Sequence, residues 1–431
     1  MLGFLASIIT GTILLGLPQA VVPGHSPLSL EQAFFTATSA VCVTGLTVFD
    51  TASTLSPLGQ GMVLAMFQLG GIGVMTLALL VFEVFSRQFR AEREDVLDSS
   101  LGSQVWTHGA RQTLSLVLIY TLAVESIGFM VLAPSFWGEQ NGLFQALFLA
   151  VSAFCNAGFD ISPGGLERFA TSWEVALPLA LMWLLGGFGF MLPALWRERR
   201  RYGPSAPTDP VLRMLLRAGL MLMVLGPICF WLSEAGGVLE QFSWDQQILV
   251  SFFQGNTTRT AGFSLVDLSA VSRHSLLVMI PFMLIGGSPG GTAGGIKTTT
   301  AWIFLATMAS HARGQSKVVL LDRRIPTHTL RRAVLVVGMM ACLWCLLTVL
   351  LTLYDSGNRF SLEQLAFESA SALGTVGLST GVTGELPLGG QMCLAVAMFI
   401  GRLGPLTIAF LLFQPQQDDC LEYQRAEIPV G

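Results

Sequence analysis

"SALGTVGLST", residues 371–380, places Thr375-Val376-Gly377 shortly before another apolar run. Glycine weakens either a membrane helix or a buried strand, since it raises the backbone entropy lost on folding and offers no side chain to pack. Gly377 therefore needs a reason other than regular secondary structure, and the rest of the chain supplies one.

The chain has 431 residues, 52% hydrophobic and only 12% charged, with a mean hydropathy of +0.64; soluble domains carry roughly a quarter charged residues. Apolar stretches such as Met62 to Val81, Val175 to Trp196 and Met392 to Phe413 recur. Each is near the ~20 residues that cross a bilayer as a helix. The composition predicts a polytopic membrane protein. Leu2 to Leu17 lacks a basic flank and is followed by more spans, so it reads as a first transmembrane helix and not a cleaved signal. Seven cysteines, most inside apolar runs, argue against a disulfide framework. The five histidines, His25, His108, His274, His311 and His328, fall in predicted loops or span ends and suggest no intramembrane haem or zinc cluster.

Eight spans are predicted, at about 2–22, 61–85, 112–133, 174–196, 211–233, 275–311, 331–354 and 390–413. The basic residues gather in three connections. These hold Arg87, Arg90, Arg93 and Arg111; then Arg197, Arg199, Arg200, Arg201, Arg213 and Arg217; then Arg313, Lys317, Arg323, Arg324, Arg331 and Arg332. The positive-inside rule makes those connections cytoplasmic and puts both termini on the same side. The opposite connections contain short apolar segments, Leu30 to Ala40, Leu143 to Phe154, Ile248 to Phe253 and Leu362 to Leu373. They are too short to span and read as re-entrant. Irregular backbone at membrane depth must be shielded by protein or line a water-filled cavity, so four such segments suggest one shared cavity.

The four segments align on one glycine. "TSAVCVTGLTVFD" gives Gly45, "VSAFCNAGFDI" Gly158, "QGNTTRTAGFSLVD" Gly262 and "SASALGTVGLSTG" Gly377, at spacings of 113, 104 and 115 residues. A second register, Gly70, Gly186, Gly286 and Gly401, follows each by 24 to 28 residues. The predicted fold is all-α: four repeats of transmembrane helix, re-entrant half-helix with filter loop, and transmembrane helix, arranged pseudo-fourfold around one pore. The repeats run 1–86, 111–197, 210–311 and 330–414, and 415–431 is a short cytoplasmic tail. In a potassium-channel pore, TVGYG loops aim backbone carbonyls at a dehydrated cation, and Thr375-Val376-Gly377 matches the first three letters. Glycine lets the backbone turn its carbonyls inward where a Cβ would hinder. The half-helix C-termini add negative dipole ends toward the cavity. Packing or turn roles are the alternative for a lone glycine, though four matching ones fit it poorly. Local carbonyl bonding is the alternative for the hydroxyls of Thr44, Thr260 and Thr375, and Cys42 and Cys155 read as small residues behind the filter.

With "ATSAVCVTGLTVFDT", "SAFCNAGF", "RTAGFSLVDL", "GGTAGGIKTTT", "SALGTVGLSTGVT" and "IGRLGPLT", the chain resembles the Trk/Ktr/HKT potassium transporters over essentially its whole length. Eight spans without an added N-terminal pair resemble the Ktr branch. The resemblance implies K⁺ uptake across the inner (cytoplasmic) membrane of a bacterium, with Na⁺ a second candidate ion and symport a candidate mode. It also implies a homodimer, each protomer with its own pore, on a cytoplasmic KtrA-type ring that binds ATP, ADP or another nucleotide. No organic cofactor and no nucleic-acid partner are expected of this chain. The matched filter positions are Val43-Thr44-Gly45, Asn156-Ala157-Gly158, Thr260-Ala261-Gly262 and Thr375-Val376-Gly377. Only the fourth is a full TVG, and Leu46, Phe159, Phe263 and Leu378 follow the glycines where the channel motif has tyrosine, which puts strict K⁺ selectivity in question.

The sixth span is interrupted by "GGSPGGTAGGIKTTT", residues 286–300, with six glycines (Gly286, Gly287, Gly290, Gly291, Gly294 and Gly295) and Pro289. No continuous helix tolerates that run. The resemblance implies a mobile intramembrane loop beneath the filter; a kinked helix with close glycine packing is the alternative. Arg402 is the one charge in the last apolar span. An intramembrane arginine needs a cavity or a partner. The resemblance has it face the pore beside the loop, and a structural salt bridge is the other reading, with Glu83, Glu125 and Glu368 as candidate acids. Lys297 closes the loop, where its ammonium can snorkel toward the cytoplasm, and it is a candidate gate residue with the loop and Arg402. An intramembrane enzyme would need a nucleophile and base or a metal cluster at membrane depth, and no span pairs His with acids. A passive ammonia or water pore would not require a glycine turn in every repeat.

Overall fold

Glycine and proline punctuate the apolar runs of this chain and set where its helices stop. A computed structural model describes residues 2–73, 110–189, 192–193, 200, 210–315, 317–320, 323–355 and 357–404. The first helix, α1, covers Leu2–Leu15 and ends short of the predicted residue 22. Pro18 cannot donate to a continuing helix and opens a 3₁₀ turn at Pro18–Ala20. Half-helix α2 is Leu30–Val41, and α3 covers residues 57–73. Next come α4, Ala110–Leu132; half-helix α5, Gly142–Cys155; and α6, Trp173–Phe188. The third set is α7, Pro210–Glu234; half-helix α8, Trp244–Thr257; α9, Arg273–Leu284; and α10, Thr298–Ala312. A two-stranded hairpin pairs β1, Val319–Leu320, with β2, Arg323–Arg324. The last set is α11, Thr327–Tyr354; half-helix α12, Leu362–Gly374; and α13, Leu388–Leu403.

Among the described residues three helices are long and apolar enough to cross a membrane: α4 continued through the 3₁₀ turn Ala133–Phe136, α7 and α11. The predicted inner ends of the second, fourth and eighth spans, with Glu83 and the 415–431 tail, lie outside the described residues. The sixth predicted span is two helices, α9 and α10, with the glycine-rich segment between them.

The half-helices have 12, 14, 14 and 13 residues, roughly 18–21 Å of helix, too short for a ~30 Å hydrocarbon core. Three of them begin with a capping box, Ser29 with Gln32, Ser243 with Gln246 and Ser361 with Gln364, which satisfies otherwise orphaned backbone donors. α8 is longer than its apolar signal, Ile248 to Phe253, because its first turn is polar: Asp245, Gln246 and Gln247 serve the cap and not the core.

Each half-helix packs in its own set, α2 on α1, α5 on α4 and α6, α8 on α7, and α12 on α11 and α13; α12 also packs across on α9 of the third set. Aromatic rings close two of the seams between sets. Phe67 of α3 meets Phe148 of α5 at 5.3 Å and stacks on Phe159 at 6.1 Å. One set later, Trp183 of α6 meets Phe253 of α8 at 4.6 Å and stacks on Phe263 at 6.1 Å. Large apolar residues are exposed on the outer faces of α1, α4, α7 and α11, while the centre holds buried polar residues, the reverse of a soluble protein and the pattern of a chain solvated by lipid.

Candidate functional site

Each half-helix leads into the same backbone path. The residue two before the aligned glycine has positive φ in all four sets: Val43 (56°), Asn156 (59°), Thr260 (66°) and Thr375 (52°). The glycines follow at 95° (Gly45), 69° (Gly158), 79° (Gly262) and 93° (Gly377). Left-handed backbone costs an L-residue about 1–2 kcal/mol, and three of the four non-glycine residues are β-branched, so the surroundings must hold them there.

Two sets of hydrogen bonds do so. The amides of Thr44, Ala157 and Val376 each donate to the carbonyl of Ser39, Ser152 or Ser371 at 2.8 Å, and Ala261 donates to Thr257 O at 3.0 Å. The hydroxyls of those residues brace the glycines from behind. Ser39 Oγ accepts from Gly45 N and Ser371 Oγ from Gly377 N, both at 3.1 Å. Ser152 Oγ donates to Phe159 O at 2.8 Å, and Thr257 Oγ1 to Phe263 O at 2.7 Å. Sequence reasoning missed these four residues. The signal was there: a serine stands six residues before Gly45, Gly158 and Gly377.

The four glycines approach one another in a closed cycle. A Cβ on Gly45 would stand 3.0 Å from Gly158 Cα; one on Gly158, 2.9 Å from Gly262 Cα; one on Gly262, 3.4 Å from Gly377 Cα; and one on Gly377, 3.2 Å from Gly45 Cα. Leu46, Phe159, Phe263 and Leu378 are buried and two of them carry the aromatic seams. The second glycine register follows one rule in three sets. Gly70, Gly186 and Gly401 each press on the carbonyl four residues before the set's aligned glycine, that of Val41, Phe154 or Leu373. Gly286 breaks the rule and faces Gly294 O, because the third set's segment folds back on itself.

The hydroxyls of Thr44 and Thr375 are buried without a hydrogen-bond partner, so neither makes the local carbonyl bond that was the alternative reading. Thr260 Oγ1 accepts from Asn156 Nδ2 at 3.3 Å. Cys42 and Cys155 are fully buried behind the backbone path.

Residues 286–297 form a loop between α9 and α10. Its neck is a short backbone ladder: Gly286 N to Ile296 O at 2.9 Å, Ile296 N to Leu284 O at 2.9 Å and Thr298 N to Gly287 O at 3.1 Å. Its body lies on α6, with Ser288 N donating to Gly187 O at 3.0 Å and Thr292 N to Gly186 O at 3.1 Å. Gly290 and Gly291 lie close against Gly189, and Gly294 lies so close to Thr375 that a Cβ there would overlap Thr375 Oγ1. Arg402, 6% exposed on α13, donates from Nη1 to Thr292 O and from Nη2 to Gly70 O at 3.1 Å. Its partners are backbone carbonyls, and among the described residues no carboxylate pairs with it. Lys297 Nζ donates to Ala293 O at 2.7 Å, closing the loop on itself.

The two described candidate acids are otherwise engaged. Glu125 Oε2 accepts from Gln68 Nε2 at 3.0 Å, and Gln68 Oε1 accepts from Cys155 Sγ at 3.0 Å. Glu368, fully buried in α12, ties down the chain beyond Gly377: Oε1 accepts from Ser379 Oγ (2.8 Å), Thr380 N (2.7 Å) and Thr380 Oγ1 (3.1 Å), and Oε2 from Thr383 Oγ1. Among the described residues no cluster of three or more His, Cys, Asp or Glu could hold a metal ion.

The family model for TrkH, described as a cation transport protein, matches residues 12–421. The chain is 34% identical to Ktr system potassium uptake protein B of Vibrio alginolyticus, covering 96% of this chain and 91% of that one. It is 31% identical to the Bacillus subtilis protein of the same name, over 100% and 95%. It is 32% identical to potassium/sodium uptake protein NtpJ of Enterococcus hirae, over 95% and 91%. In fold it is similar to the potassium transporter TrkH of Vibrio parahaemolyticus, with a TM-score of 0.74 at 18% identity over 96% of this chain and 85% of that one. By the extent of the family match and by these identities, the chain belongs to the TrkH/Ktr family of cation transport proteins, and so is a transporter and not an enzyme.

Proposed function

We propose that the chain takes up K⁺ across a bacterial cytoplasmic membrane through one pore, lined by four repeats arranged pseudo-fourfold. The observation that carries this is the closed cycle of Gly45, Gly158, Gly262 and Gly377, each preceded two residues earlier by a left-handed residue. Backbone that alternates in the sign of φ turns successive carbonyls to one side, and carbonyls so aimed replace the hydration shell of a cation. The filter is then Val43 to Gly45, Asn156 to Gly158, Thr260 to Gly262 and Thr375 to Gly377. Relatives whose names specify potassium uptake support the choice of ion, and one named for potassium and sodium supports Na⁺ as a second candidate.

The gate is the 286–300 loop with Arg402. The loop lies against Asn156 and Thr375 at the base of the filter strands, and glycine-rich backbone has several arrangements within a few kcal/mol. The guanidinium holds the closed one by its bond to Thr292 O and repels cations at pore depth. The chain works as a homodimer on a separate nucleotide-binding ring of the KtrA type; the Ktr-system names of its relatives support that partner. Radiotracer K⁺ uptake in a bacterial host lacking its own uptake systems tests the function. Restored uptake that saturates with K⁺ supports it, and a host left K⁺-starved at normal membrane expression refutes it.

A further inference from the structure

Of the four left-handed filter residues, only Asn156 carries an amide, which donates from one atom and accepts at another. Its amide is nearly inaccessible, 1% exposed, and both ends are used. Nδ2 donates to Thr260 Oγ1 in the third filter strand at 3.3 Å and lies 3.5 Å from the carbonyl of Arg259, the residue just before that strand. Oδ1 accepts from Thr292 Oγ1 at 3.2 Å, in the gate loop. This orientation is fixed by its neighbours: a flipped amide would turn its oxygen toward the Arg259 carbonyl and leave Thr292 facing an NH₂ group. Thr292 is the loop's most heavily bound residue. Its N donates to Gly186 O, its O accepts from Arg402, and its hydroxyl is shared between Asn156 Oδ1 and Phe154 O, each at 3.2 Å.

We infer that Asn156 is a positioning residue that couples the gate loop to ion discrimination, through the chain Thr292–Asn156–Thr260. The inference rests on the filter and gate reading above and assigns that coupling to one amide. While Thr292 is seated, the amide is held at both ends and fixes the spacing between the second and third filter strands. When the loop withdraws, the amide loses its hold on one side and the two strands gain freedom. Filter stiffness then depends on gate position, and the loop influences which ions pass as well as how many. The other loop-to-filter contact, Gly294 against Thr375, is steric and leaves the Thr375 hydroxyl without a partner, so the second and third strands are where the hydrogen-bonded coupling lies.

The test is Na⁺ competition against K⁺ uptake in the deficient host at matched membrane expression. Thr292→Val removes the hydroxyl and keeps both backbone bonds; Asn156→Gly removes the amide and accepts the φ of 59° without strain. Each should lower the preference for K⁺ over Na⁺ by about five-fold, the factor for one net hydrogen bond, and the double variant should lower it no further. Thr292→Ser, which keeps the hydroxyl, should behave as wild type. If Asn156→Gly lowers the preference and Thr292→Val changes only the maximal rate, or if the two effects multiply, the coupling is overturned while filter and gate stand. If neither substitution changes rate or preference, the filter and gate reading falls with it. Should Thr292→Val not reach the membrane, Thr292→Ala is measured in its place under the same expectations.

Discussion

Replacing Gly377 by serine introduces a Cβ where the fourth filter strand meets the first. At φ +93° the added atom would overlap the Thr44 carbonyl oxygen, with Thr44 C at 3.0 Å and Gly45 Cα at 3.2 Å. Thr44 cannot yield easily, because its amide is bound to Ser39 O at 2.8 Å and Gly45 N to Ser39 Oγ at 3.1 Å. Ordinary contact requires the carbonyl to retreat by about 1.4 Å, and the left-handed backbone adds about 1–2 kcal/mol of strain for any residue with a Cβ. If that energy comes out of K⁺ coordination, discrimination against Na⁺ falls by about ten-fold, since ~1.4 kcal/mol is a factor of ten. Initial uptake against external K⁺, with and without competing Na⁺, reads this directly in the deficient host. Wild-type half-saturation and wild-type discrimination in a normally expressed Gly377→Ser protein would refute the filter reasoning.

Four further outcomes follow from the same geometry. Arg402→Ala, or shortening the 286–300 loop, should raise the maximal rate of K⁺ uptake and leave the half-saturating concentration nearly unchanged; a several-fold change in half-saturation with no gain in rate would move the loop into the binding site. Neutralising Arg323 and Arg324 on the β1–β2 hairpin should reduce co-purification of a cytoplasmic ring, whereas wild-type recovery would leave them only a topological role. Glu368→Gln puts an NH₂ group among four donors, a loss of about 2 kcal/mol or more, and should lower the melting temperature in detergent by several degrees. In the loop beyond Gly158, burial pushes the Asp160 carboxyl up to about 6, opposed by hydrogen bonds from Ser162. Asp160 therefore gains its charge as pH rises through that value, so half-saturating K⁺ should fall across it, and Asp160→Asn should flatten the profile.

The filter strands were legible because their constraint is on the backbone. Only glycine fits where four strands converge, so Gly45, Gly158, Gly262 and Gly377 stand at matching positions in a chain of otherwise diverged segments. The loop was legible for a related reason, since a run with six glycines and Pro289 cannot stay helical. Side-chain partners were less so. Arg402 invited a search for an acid, yet a guanidinium buried among helix ends finds carbonyls, those of Thr292 and Gly70, brought together across 332 residues of chain in the second case. The sequence marks Asn156 only as a filter position, and its second role depends on Thr292, 136 residues away. Hydropathy averages across Gly16 and Pro18 and so overruns the end of α1, and the polar capping residues hide the start of α8.

The central claim is that K⁺ passes through the four-strand filter of this chain, and purified protein in proteoliposomes tests it most directly. Vesicles loaded with K⁺ should accumulate radioactive rubidium, external K⁺ should block that accumulation, equal Na⁺ should block it far less, and Gly377→Ser should erase the difference. Absence of rubidium flux, or equal block by Na⁺ and K⁺ in the wild-type protein, would contradict the account.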